Sequence, residues 1–125
     1  MNSVTKVYTI KSNAQAVFRA LTDPIEMEHW SGSQAVMDTC QGGVFSMWGS
    51  SIHGINTLIS TKRIEQDWKE ESWEEYSKVV FIINEIEDGV ELKLMHTQIP
   101  SDSVEDIDQG WDEYYLSPLK VYLEQ

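Results

Sequence analysis

A chain of 125 residues has room for one hydrophobic core and no second. Its hydrophobic content of 41% sets it among globular rather than disordered chains, and 21 acidic against 9 basic residues leave a formal charge of −12. Such a field repels phosphate backbones and anionic headgroups, which argues against nucleic acid and a bare membrane surface as partners.

Val4 to Ile10 is β-branched and aromatic and predicts a first strand. Ser12, with Gln15 three residues on, reads as a capping box for a helix that Asp23-Pro24 stops after Thr22. Pro24 starts a second short helix running through Met27 to Trp30. Six strands follow: Ala35–Thr39, Val44–Trp48, Ile52–Ile59, Lys62–Trp68, Ser77–Glu85 and Val90–Thr97. Gly42-Gly43 and Asp88-Gly89 read as hairpin turns, and Glu70–Tyr76 as a charged loop carrying Trp73. Connections this short predict an antiparallel meander, because parallel crossovers need a dozen residues or more. The last strand alternates, with Val90, Leu92, Leu94 and His96 on one face.

After Pro100 the period changes. Ser103 is expected to cap a long amphipathic helix, with Glu105, Asp106 and Asp108 in its first turns, where negative charge suits the helix dipole. At 100° per residue, Val104, Ile107, Trp111, Tyr115, Pro118, Leu119 and Tyr122 share one stripe, with Tyr114 at its edge. Pro118 removes a hydrogen bond and crowds the carbonyl of Tyr114, so a kink is expected there. The predicted class is α+β: a curved antiparallel sheet wrapped around a long C-terminal helix, with two short helices after the first strand.

The stretches VFRALTDP, GGVFSMWGSSIHG, DWKEESW, GVELKLMHTQIP and QGWDEYYLSPLKVYLE occur in one order across nearly the whole chain. Together they resemble the C-terminal domain of the activator of heat-shock-protein-ninety ATPase, within the START-like superfamily of polyketide cyclases, lipid-transfer domains and pollen allergens. The resemblance implies a single helix-grip domain over 1–125 and a chaperone as partner. The family has no fixed catalytic motif, so the resemblance carries no catalytic residue. Its two-domain eukaryotic members also have an N-terminal domain, whereas this sequence opens directly on the START-like part.

Cys40 is the only cysteine, so no internal disulfide forms. The segment MNSVTKVYTI has no apolar stretch of the kind a secretory leader needs, and a soluble cytoplasmic protein is expected. His29, His53, His96 and Cys40 lack metal-ligand spacing, and the run from Asp106 to Gly110 opens like a calcium loop that Trp111 and Ser117 then break. Neither a nucleophile motif nor a phosphate-binding loop is present, and no metal or cofactor is expected. The expectation is a non-enzymatic binding domain. Its cavity between sheet and helix would be lined by Phe45, Met47, Trp68, Phe81, Leu94, His96, Trp111 and Tyr115 and hold a small apolar or amphipathic molecule. The competing expectation is a co-chaperone module. Less favoured is a cyclase or hydrolase using His96 with a tyrosine hydroxyl. His96 and the tryptophans read equally well as core residues. The run Val79–Ile83 is apolar on both faces, so a second copy covering the outer face, in a weak homodimer, is also expected.

Overall fold

The computed structural model describes residues 2–125. Seven strands form one antiparallel sheet in the order β1-β7-β6-β5-β4-β3-β2. These are β1 Val4–Ile10, β2 Ala35–Met37, β3 Val44–Met47, β4 Ile52–Ile59, β5 Arg63–Glu70, β6 Ser77–Ile86 and β7 Gly89–Thr97. The only departure from a meander is β1, which pairs with β7 from Val4↔His96 to Ile10↔Val90. Helices α1 (Ala14–Thr22) and α2 (Pro24–Ser31) follow β1, and a continuous helical segment, Val104–Leu123, ends the chain.

Local chemistry sets most boundaries. Asn13, rather than Ser12, caps α1: its Oδ1 accepts from the Ala16 N–H at 2.8 Å, a single cap in place of the box expected from Ser12 and Gln15. Asp23 then caps α2, with Pro24 in its first turn, and Gly32 ends it at φ 73°. The β6–β7 turn is Glu87-Asp88, since Ile86 pairs with Gly89, so the hairpin sits one residue earlier than Asp88-Gly89 suggests. Ser103 makes no side-chain cap; its carbonyl accepts from the Ile107 N–H instead.

The inner face of the sheet and the long helix make the core. On β6, Val79, Phe81 and Ile83 face inward, and on β7 Val90, Leu92, Leu94 and His96 do so, all at 3% exposure or less. In β4 the register shifts between Asn56 and Leu58. The extra residue bends the strand and returns Ile59 to the inner face opposite Ile64. Asn56 is fully buried there, donating to the Asp38 carbonyl and accepting from Gln66 Nε2 at 2.9 Å. On the outer face Val80 is only 8% exposed, flanked in register by Glu65 and Met95. One chain therefore shelters that residue by itself, which weakens the reason for expecting a second copy.

At Pro118 the helix changes its winding rather than breaking off. The helix runs as α3 (Val104–Gly110), a π-helical stretch over Trp111–Leu116, and α4 (Ser117–Leu123). The Ser117 N–H reaches back five residues to the Asp112 carbonyl, and this wider turn accommodates the proline ring that follows. The wide turn also changes the stripe. Leu116, off the 100° stripe, is 1% exposed beside Tyr115, while Pro118 is only half-buried.

Two β1 side chains hold this helix from the sheet edge. Lys6 pairs with Asp108 and, at 2.8 Å, with Asp112, while the Tyr8 hydroxyl donates to Asp112 at 2.6 Å. Hydrogen bonds to Asp108 and Asp112 raise the Lys6 ammonium above its ordinary value. Burial pushes the Asp112 carboxyl up, but the bonds from Lys6 and Tyr8 outweigh it and leave the group below the usual carboxylate range.

Candidate functional site

The eight residues expected to line a cavity all come together beneath the long helix, each at 5% exposure or less. They fill that space rather than enclose it. Trp111 sits 4.7 Å from Tyr115 and 5.6 Å from Trp68 between ring centroids, and Phe81 stacks on Tyr115 at 5.7 Å. Trp30 adds a ring 4.8 Å from Tyr115, its N–H donating to the Ala20 carbonyl. Trp73, carried by the charged loop, closes the far end against Trp68 at 5.7 Å. Burying rings of about 150–250 Å² is worth about 4–6 kcal/mol each before chain entropy is subtracted.

Gly54 permits this stacking. It lies in register between Phe45 and Trp68, and a Cβ there would stand 1.8 Å from the Asp67 carbonyl oxygen and 2.8 Å from the Phe45 ring.

His96 brings an imidazole into this layer of rings. The Trp111 indole N–H donates to its Nδ1 at 2.9 Å, and its Nε2 lies 2.6 Å from Ser77 Oγ. An indole nitrogen is donor only, so Nδ1 is the acceptor and Nε2 carries the proton. The Ser77 hydroxyl, accepting from Nε2, donates in turn to the Trp68 carbonyl at 2.6 Å. Burial lowers the imidazole to about 3, so it is neutral at physiological pH. Both ring nitrogens are committed to this chain of bonds, and neither meets a tyrosine hydroxyl. His96 thus ties helix to sheet. His53 is on the opposite face, between Ser46 and Lys69.

One open space lies at the end where the β3–β4 turn approaches the helix. A cleft of about 380 Å³ is lined by Trp48, Ile52, Trp68, Trp111, Tyr114 and Tyr115, with Gly110 in its wall and Glu70 and Asp106 at its border. Of the eight expected residues only Trp68, Trp111 and Tyr115 reach it. Phe45, Met47, Phe81, Leu94 and His96 do not line it and lie in the core. Trp48, which the sequence allowed equally as cavity wall or core, and Tyr114, at the stripe's edge, are wall residues. Among the described residues no group of three or more His, Cys, Asp or Glu is arranged to hold a metal ion, and no helix is long and apolar enough to cross a membrane.

A curved antiparallel sheet gripping an aromatic C-terminal helix defines a helix-grip, START-like domain. The chain belongs to the family described as activator of Hsp90 ATPase homolog 1-like protein, whose model matches residues 11–124. It is similar to the crystal structure of an Hsp90 activator from Plasmodium falciparum, with a TM-score of 0.93 and 29% identity over 98% of this chain and 96% of that one. A protein from Mesorhizobium loti shares the fold at a TM-score of 0.83 and 17% identity, over 97% and 96% of the two chains. Among curated proteins, the activator of 90 kDa heat shock protein ATPase homolog of Dictyostelium discoideum is 29% identical over 76% of this chain. An uncharacterized protein of Schizosaccharomyces pombe is 23% identical over 94% of it. The chain spans only 26% and 36% of the lengths of these two relatives.

Proposed function

We propose that this domain docks on an Hsp90-type chaperone and modulates its ATPase. The observation that carries the reading is the likeness to the Plasmodium activator, which extends over nearly the full length of both chains at 29% identity. The formal charge of −12 suits a basic partner face and would make association fast and salt-sensitive. Chaperone ATPase turnover is measured with increasing domain at low and high salt. A saturating change that weakens with salt supports the reading. Unchanged turnover, with no co-sedimentation at either salt, removes it.

A second reading is enclosure of a small amphipathic molecule, favoured by the cleft of about 380 Å³. Such a molecule would lie against Trp68, Trp111 and Tyr115, gaining about 25 cal/mol per Å² of apolar area covered. Thermal shift against lipids and aromatic metabolites tests it, and a melting temperature unmoved by every compound would end it. Weak self-association through the outer face of β6 is tested by light scattering at high concentration, where a monomeric mass would dismiss it.

A further inference from the structure

We propose that the cleft between the β3–β4 turn and the C-terminal helix is a site for an organic cation with an apolar body, a protonated amine or quaternary ammonium attached to an aryl or alkyl group. This rests on the second reading above, that the cleft takes a small molecule.

Shape and charge at the cleft agree. Its walls carry the aromatic side chains of Trp48, Trp68, Trp111, Tyr114 and Tyr115. Aromatic faces carry negative potential and attract an ammonium placed over them. The only lining groups charged at neutral pH are Glu70 and Asp106, and among the described residues no Lys, Arg or His borders the space. Neither carboxylate takes part in the ion pairs formed among those residues. Burial first, then the negative field of Asp106, raises the Glu70 carboxyl above its ordinary value. A cation beside them relieves that repulsion, whereas an anion adds to it. The volume suits a one-ring amine better than a lipid chain, since pockets for drug-sized ligands span roughly 300–1,000 Å³.

Two backbone features keep the space open. Gly110 has ordinary helical angles, φ −62° and ψ −37°, so nothing in its conformation requires glycine. A Cβ there would meet only Tyr114 Cδ2, at 3.9 Å. The helix omits a side chain at the cleft wall. Across from it Trp48, at φ 53°, begins a left-handed run with Gly49 at 65° and Ser50 at 74°. A bulky residue rarely adopts that conformation. The turn holds the Trp48 ring at the cleft, 6.2 Å from Tyr115.

The test titrates the full chain, by tryptophan fluorescence, with benzyltrimethylammonium, its neutral carbon isostere neopentylbenzene, and phenylacetate. The cation is expected to bind about 10-fold more tightly than the isostere, and phenylacetate more weakly than either. Glu70→Gln with Asp106→Asn should weaken the cation about fivefold and leave the isostere unchanged. Gly110→Leu, which fills the cleft from a position already helical, should abolish binding of both. Equal affinity for cation and isostere overturns the charge preference and leaves the small-molecule reading standing. Failure of both to bind overturns the two together. Cation binding that survives Gly110→Leu overturns the assignment to this cleft.

Discussion

Trp111 and His96 stand almost perpendicular, with 87° between ring planes and 5.7 Å between centroids. In that arrangement the indole N–H meets the in-plane lone pair of Nδ1, and the bond holds only while the imidazole is neutral. An unfolded His96 takes up a proton near 6.5 and the folded one near 3. Its contribution to stability is therefore complete above about 6.5 and is lost as pH falls toward 3, on the order of 1.4 kcal/mol per unit. Urea melts across that window should show the wild type weakening more steeply than His96→Gln, which keeps a donor and an acceptor but cannot titrate. Parallel slopes would contradict a buried neutral ring.

Gly54→Ala should destabilise by about 3 kcal/mol or more, because the new methyl meets the Asp67 backbone carbonyl rather than a movable side chain. Chemical denaturation measures this. A loss under about 1 kcal/mol would mean that β4 and β5 are not so closely paired.

Gly110→Ala is expected to act in the opposite direction. The backbone is already helical and the added Cβ has room, so stability should rise by about 0.5–1 kcal/mol, seen as a higher Tm. A lower Tm would indicate that the wall of the cleft is closed.

Lys6→Met removes the ammonium shared by Asp108 and Asp112 while keeping most of the stem. Both carboxylates are substantially exposed, so a loss of about 0.5–1 kcal/mol is expected, shrinking at high salt. A cycle with Asp112→Asn isolates the pair.

The order of elements was legible because each one depends on local chemistry. Alternation set the phase of β7 from Val90 to His96, and Asp23-Pro24 marked the join of α1 and α2, while the cap of α1 fell at Asn13 and not at Ser12. The aromatic side of the last helix was legible from Ile107, Trp111, Tyr115 and Leu119. What escaped was whatever depends on distant partners or on helical winding. Leu116 enters the core because the turn widens ahead of Pro118, and a fixed 100° wheel hides that. Lys6 and Tyr8 meet Asp112 more than a hundred positions away. The cleft escaped for a different reason: sequence reveals which rings face inward, but not whether they leave a void among themselves. Here Trp68, Trp111 and Tyr115 border a cleft that opens beside Trp48, where the main chain turns left-handed.

The long helix is bonded to the sheet through Trp111 and His96. Hydrogen exchange of the indole N–H protons, followed by NMR, tests this directly. The Trp111 proton should exchange only with global unfolding, at the rate of the β6 and β7 amides, and far more slowly than that of Trp48 at the cleft. Exchange of Trp111 as fast as that of Trp48 would mean that the helix lifts freely from the sheet, and the closed core described here would be wrong.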